Sequence, residues 1–178
     1  MTLLVGEDFF DLFRTFEHTA YRLEVRESYY EKEQLGQFLA GQRVNLTYME
    51  AWFSLIVQRR VEGKRIERVR VVSRPHSDYT RYGLWLCAYN TQAGEDIRYL
   101  ERQHAAGLPD LDYWLLDSNR LYAVRFGEGD DLLGAELVED PAAVIQAGWW
   151  RDVAWHHAVP YSEYVKATGF GVEHPTSA

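Results

Sequence analysis

The segment between residues 66 and 100 constrains the fold more than any other part of the chain. Residues 66–72 are rich in β-branched side chains and predict a strand, and residues 96–100 predict another. Between them lies a helical pattern that runs to about Ala93, with Ser77 or Ser73 as its N-cap and Gly94 as its end. A helix between two strands predicts a right-handed parallel crossover.

The rest of the chain extends this unit into an α/β or α+β fold. We expect a mixed sheet of about five to six strands, flanked by N-terminal and C-terminal helices. Alternation over residues 19–29 predicts a half-buried strand with Arg22, Glu24 and Arg26 on its polar side. Further strands are predicted at 113–116, 121–126 and 132–138, and the last helix begins at Asp140–Pro141. Thr47 and Glu50 form a predicted capping box for another helix.

The predicted domain organisation is simple. Residues 1–166 form one globular domain, in which 1–63 are a helical N-terminal part and 64–166 are an α/β core. Residues 167–178 are predicted to be a disordered tail.

Composition excludes several classes of function. The net charge of −8 argues against direct nucleic-acid binding, since a surface that neutralises phosphates is normally basic. The chain has no pattern typical of a signal peptide or membrane span, and its single cysteine forms no disulfide within it. We therefore expect a cytoplasmic protein without membrane association. The 6 Trp and 12 Tyr indicate either an aromatic-rich core or a binding surface.

Charged residues gather where the strand at 66–72 gives way to the following helix. If the crossover forms, we expect Glu95, Arg98 and Asp112 to lie near the strand ends beside Arg74 and His76. The candidate ligand- or partner-binding residues are Arg70, Arg74, His76, Asp78, Arg81, Glu95, Arg98 and Asp112. One reading is an anion site at a helix N-terminus, and the other is a helix cap at Ser77 and Asp78 with solvated arginines.

The sequence predicts no catalytic motif, no metal site and no cofactor. His156 and His157 are adjacent, so on a helix they point about 100° apart and cannot bind one metal from a single face. Cys87 lies in an apolar helical run, where a small buried hydrophobic residue is the expected role.

Six ordered sequence blocks resemble a bacterial family of domains of unknown function. The resemblance runs from about Phe10 to Tyr164, over LFRTFEHTAYRLEVRESY, RVRVVSRPHSDYTRY, AGEDIRYL, LDYWLLDSNRL, GAELVEDP and AVPYSEY. Members of that family are commonly encoded beside a helix-turn-helix regulator and a short companion protein. The resemblance implies a regulatory setting and no catalytic residues.

A second resemblance concerns the fold alone. The order of strands and helices is similar to the phospholipase D-like sensor domains attached to some regulators. Catalytic members of that group need His-x-Lys-x₄-Asp, and no histidine of this chain is followed two positions later by lysine. The resemblance therefore implies a degenerate, non-catalytic relative that binds a ligand or a protein.

These observations favour a non-enzymatic accessory protein. Its expected partner is a helix-turn-helix regulator or a small anionic ligand, and it can also form a homo-oligomer. The alternative is a hydrolase-like enzyme with a strand-end site around Arg74, His76, Asp78, Glu95 and Asp112. A toxin or antitoxin role shares the gene-neighbour reasoning but has no chemical support.

Overall fold

The strand–helix–strand segment folds as a parallel crossover at the centre of a mixed α/β domain. The computed structural model describes residues 3–170. The helices are α1 (Gly6–Thr15), α2 (Lys32–Leu39), α3 (Glu50–Val61), α4 (Asp78–Ala93), α5 (Pro141–His157) and α6 (Tyr161–Thr168). The strands are β1 (Leu3–Leu4), β2 (Thr19–Glu24), β3 (Arg65–Val72), β4 (Asp96–Glu101), β5 (Tyr113–Leu116), β6 (Arg120–Phe126), β7 (Leu132–Val138) and β8 (Val159–Pro160).

One eight-stranded sheet contains all the described strands, in the order β1-β7-β6-β5-β2-β3-β4-β8. The pairs β2–β3 and β3–β4 are parallel, and the other pairs are antiparallel. The α/β class and the mixed sheet are therefore confirmed, but the strand count is higher than predicted. Strands β1 and β8 account for the difference, because each has only two residues and carries no recognisable alternation.

The crossover has the ends that its sequence predicts. The Ser77 hydroxyl accepts a hydrogen bond from the backbone N–H of Thr80, which confirms Ser77 rather than Ser73 as the N-cap of α4. Gly94 ends this helix with φ +123°, a conformation that L side chains rarely adopt.

The predicted capping box at Thr47 is wrong. Residues Thr47–Met49 form a 3-10 turn, and α3 begins after Met49 without a side-chain cap. Both the backbone N–H and the hydroxyl of Thr47 donate to Asn45 Oδ1, at 3.0 and 2.7 Å. The hydroxyl is thus engaged by the preceding Asn side chain.

Both faces of the sheet are covered. On one face Leu23, Val69 and Leu115 belong to a buried cluster with Ala147 and Ala154 of α5. On the other face, helices α1, α3 and α4 cover the sheet. Central strands covered on both sides carry no solvent-facing row, so the prediction of a half-exposed β2 is wrong.

The structure describes only the beginning of the predicted tail. Helix α6 extends to Thr168, so residues 167 and 168 are helical, and residues 171–178 lie outside the described part of the chain. No helix within residues 3–170 combines the length and apolarity that crossing a membrane requires.

Candidate functional site

Two neighbouring parallel strands place four charged side chains on one buried row. Arg22 of β2 pairs in register with Arg68 of β3, and Glu24 pairs with Arg70. Residues paired in this way point to the same side of a sheet, here the side covered by α1, α3 and α4. Arg22 and Glu24 are buried, with exposed fractions of 8% and 5%. The polar side of β2 therefore faces the interior.

Glu24 is the centre of an ion-pair network with these three arginines. Its carboxylate lies 3.0 Å from Arg22, 2.9 Å from Arg68 and 2.8 Å from Arg70. Two further buried acids complete the network, because Asp112 lies 3.2 Å from Arg22 and Glu95 lies 2.7 Å from Arg68. Three arginines thus face three carboxylates, and the formal charge of the network is zero.

Neutral donors fix the two outer carboxylates. Asn90 donates to Glu95 at 2.7 Å, and the Tyr29 hydroxyl donates to Asp112 at 2.6 Å. The backbone N–H of Val25 also donates to Asp112, at 2.8 Å. Buried charges with this many partners are held in one arrangement.

Glu24 and Arg70 stay ionised over the whole physiological pH range. Burial alone would raise the pKa of Glu24, but the charges of Arg68, Arg70 and Arg22 outweigh burial and lower that pKa to about 2. Burial likewise opposes the charge on Arg70, but Glu24 more than compensates, and the pKa of Arg70 rises. Glu24 and Arg70 are therefore a fixed pair of opposite charges in the row.

A cavity of about 400 Å³ lies above this row. Arg22, Glu24, Arg68 and Arg70 form its floor, and Cys87 and Asn90 of α4 contribute to one side. Nine aromatic residues provide most of the walls: Phe9, Phe10, Phe13, Tyr29, Tyr30, Trp52, Tyr79, Trp114 and Phe126. A mainly apolar cavity with a few polar groups is typical of a small-molecule site.

Four buried polar atoms on residues of the cavity lining have no hydrogen-bond partner within residues 3–170. Arg22 Nε and Glu24 Oε2 are held in ion pairs, whereas Asn90 Oδ1 and Trp114 Nε1, on residues that are only 2% and 3% exposed, are not. An unpaired buried polar atom is costly, so such atoms are rare in folded proteins. The two residues that carry these unpaired atoms, Asn90 and Trp114, both line the cavity.

The cavity opens toward solvent at Tyr30 and Leu132, which are 56% and 52% exposed. Beside the opening, Asp130 accepts a hydrogen bond from Ser28 at 2.6 Å and forms an ion pair with Arg26. The backbone N–H of Tyr30 donates to the Asp130 carbonyl at 3.1 Å. These contacts join the segment after β2 to the β6–β7 hairpin.

Three of the eight candidate residues named from the sequence reach the ionic network. Arg70 lies on the cavity floor, and Glu95 and Asp112 are the carboxylates behind it. Arg98 lies on the opposite face of the sheet, with its guanidinium 3.9 Å from the centre of the Trp155 ring.

The other four candidates lie around the end of β3 and the start of α4, away from the cavity. Arg74 forms an ion pair with Glu101 at 3.0 Å, and His76 Nε2 lies 2.7 Å from the Tyr164 hydroxyl. Partial burial and the nearby Arg74 lower the pKa of His76. Asp78 and Arg81 contact each other at 3.6 Å on the exposed surface of α4.

The expectation that Glu95, Arg98 and Asp112 would lie beside Arg74 and His76 is therefore wrong. Glu95 comes just before β4, whereas Arg74 follows β3. Since β3 and β4 are parallel, the start of one strand and the end of the other lie at opposite ends of the strand direction.

The sequence reasoning also missed residues that form the cavity floor. The sequence pattern assigns no site to Arg22, Glu24 or Arg68. The available signal is that charged residues occupy alternate positions in two neighbouring strands, β2 and β3. Within residues 3–170, no group of three or more His, Cys, Asp or Glu side chains is arranged to hold a metal ion.

The fold and the cavity define a mixed α/β domain with an aromatic chamber above a buried ionic row. The chain belongs to the family described as Domain of unknown function (DUF6879), whose model matches residues 7–166. No curated protein sequence matches the chain at a significant level.

Proposed function

We propose that the protein is a small-molecule-binding module, and that its ligand has an aromatic or other apolar body seated in the cavity above β2 and β3. The observation that carries the proposal is a cavity of about 400 Å³ with mostly aromatic walls, whose lining also includes Asn90 and Trp114, each with one unpaired buried polar atom. Both atoms are shielded from solvent, so a ligand would hydrogen-bond to them only after a small movement of the two side chains, and it would then remove the cost of leaving them unpaired.

The size and rigidity of the site support this function. A volume of about 400 Å³ lies within the range of small-molecule cavities. The walls include edge-to-face aromatic contacts, such as Phe13 with Trp52 at 5.1 Å and Phe13 with Trp114 at 4.5 Å between ring centres. A preformed aromatic wall reduces the ordering cost of binding.

The hydrolase-like alternative has less support than a binding role. Arg74, His76 and Asp78 do not line the cavity, and they are not gathered with Glu95 and Asp112. Binding of a helix-turn-helix regulator stays a prediction. The cavity is relevant to that prediction only as the place where a ligand would bind.

A fluorescence titration tests the proposal. The probe is N-phenyl-1-naphthylamine, an uncharged dye that fluoresces when it leaves water for an apolar cavity. We expect saturable binding with one dye per protein, and an affinity at least about fivefold lower in Leu132→Trp, because a larger side chain narrows the opening.

Leu133→Trp is the matched control. Leu133 is 45% exposed, similar to Leu132, but it does not line the cavity. This variant should bind the dye within about twofold of the original protein. No saturable binding, or equal weakening in both variants, would contradict the proposal.

A further inference from the structure

We infer that the ligand is an organic cation, whose amine is bound by Glu31 and the tyrosine rings at the cavity opening. This inference rests on the proposed function and adds the chemical class of the ligand. It departs from the sequence-based expectation of an anionic ligand, and charge balance is the reason.

The cavity floor has no unneutralised positive charge to offer an anion. The three arginines there are matched by Glu24, Asp112 and Glu95, all within 3.2 Å of a guanidinium. An anion placed on this floor would give the buried network an excess negative charge, and unpaired buried charge is strongly unfavourable. The guanidiniums are thus committed to the protein's own carboxylates.

The opening, by contrast, has a carboxylate that no basic side chain neutralises. Asp130 forms an ion pair with Arg26, but Glu31 forms no ion pair with any residue in the 3–170 range. The two oxygens of Glu31 accept hydrogen bonds from Tyr79 at 2.6 Å and Tyr48 at 2.9 Å. These neutral donors orient the carboxylate and leave its charge in place.

Lys32, which follows Glu31 in the sequence, neutralises little of the Glu31 charge. Lys32 is exposed, and its ammonium lies 5.0 Å from the centre of the Tyr30 ring instead of pairing with Glu31. An exposed charge is screened by water and salt. When the cavity lining, the two acids behind its floor and the Arg26 that pairs with Asp130 are summed, one negative charge is left, at Glu31.

Tyrosine rings line the cavity together with this charge, and cations of the protein already lie over them: Lys32 over Tyr30, and Arg70 over Tyr29 and Tyr79. Tyr29, Tyr30 and Tyr79 line the same cavity as Glu31. The faces of such rings attract cations, and ring faces combined with a carboxylate are a recurrent way to bind an ammonium group. The contact of Lys32 with Tyr30 is an example of this attraction within the chain.

The two ends of the site then fit one kind of molecule. An amine would contact Glu31 near the opening, while an apolar ring would lie deeper, among Phe13, Trp52 and Trp114. The net charge of −8 also favours the approach of a cation over that of an anion.

Calorimetric titration with three indole compounds tests the inference. Tryptamine, indole-3-acetamide and indole-3-acetate share one ring system and differ in charge, being positive, neutral and negative at pH 7. We expect tryptamine to bind at least about tenfold more tightly than the amide, and indole-3-acetate to bind most weakly.

Glu31→Gln removes the charge and keeps one acceptor oxygen for a tyrosine hydroxyl, while its amide NH2 can donate to the oxygen of the other tyrosine. Tryptamine should lose about tenfold in affinity for this variant, and the amide should be unaffected. Glu33→Gln is the control, because Glu33 is an exposed residue of α2 outside the cavity lining. Its affinities should match those of the original protein.

Equal affinity for the three compounds would overturn the inference and leave the proposed function intact. Tightest binding of indole-3-acetate, or unchanged tryptamine affinity in Glu31→Gln, would also overturn it. If the uncharged naphthylamine binds and none of the indoles does, the cation inference fails while the cavity remains a binding site.

Discussion

Glu24 allows the sharpest test of the buried ionic row. Replacing Glu24 with Gln preserves its shape but removes the one carboxylate that contacts Arg22, Arg68 and Arg70. Two acids would then remain for three buried arginines. Removing one partner from a buried ion pair costs about 3–5 kcal/mol, because a desolvated charge is left without compensation.

The pKa of Glu24 gives a second route to the magnitude. Its ordinary pKa of 4.5 falls to about 2 in the folded protein, which corresponds to about 3 kcal/mol of stabilisation. Because the pKa of Glu24 is lower in the folded than in the unfolded protein, this stabilisation is complete above pH 4.5 and is lost as the pH falls toward 2. The difference in stability between the original protein and Glu24→Gln should therefore shrink by about 2 kcal/mol between pH 7 and pH 3.

Urea denaturation at both pH values measures these differences as free energies of unfolding. Glu27→Gln is the control, since Glu27 pairs with Arg102 at 2.8 Å on the exposed surface and should contribute less than about 1 kcal/mol. A loss below about 1 kcal/mol for Glu24→Gln at pH 7, or a loss that is the same at pH 3, would refute the reasoning.

Three further predictions concern other parts of the fold. A Cβ on Gly83 would lie 2.6 Å from Arg70 Nη1, so Gly83→Ala should lower the free energy of unfolding by about 1–3 kcal/mol. Gly36 lies in open space on α2, so Gly36→Ala should raise the free energy of unfolding slightly. The urea midpoints of the two variants test both expectations. The Asp117 carboxylate accepts backbone hydrogen bonds from residues 17, 18 and 19, which together with Arg120 outweigh the effect of burial and lower the pKa of Asp117 to about 2. Asp117→Asn should lower the free energy of unfolding by about 1–3 kcal/mol in the same assay, and a change under about 0.5 kcal/mol would contradict this prediction. Burial raises the pKa of the Cys87 thiol, so it should react with a disulfide reagent far more slowly in the folded protein than in urea, and equal rates would contradict that burial.

Local signals were sufficient for the crossover. Ser77 and Gly94 delimit α4 because an N-cap hydroxyl and a residue with positive φ are needed at those positions whatever surrounds the helix. Strand β8 and strand β1 were not predictable in this way. A two-residue strand is defined by its partner across the sheet, here β4 and β7, and not by its own composition.

The candidate site was harder to predict because its charges look like a solvent-facing row. Alternation places Arg22 and Glu24 on one side of β2, but it does not say what covers that side. Only the pairing of β2 with β3, and the helices packed above both, reveals that the row is buried. For the same reason, the sequence pattern did not identify Arg68 as part of the site and favoured the exposed start of α4 instead.

The most direct test of the binding role is a crystal structure of the protein with tryptamine. We predict that the indole ring lies among Phe13, Trp52 and Trp114, with the ammonium nitrogen within about 4 Å of the Glu31 carboxylate. An indole found only on the outer surface, for example at the exposed Trp149 of α5, with the cavity unchanged, would contradict the account.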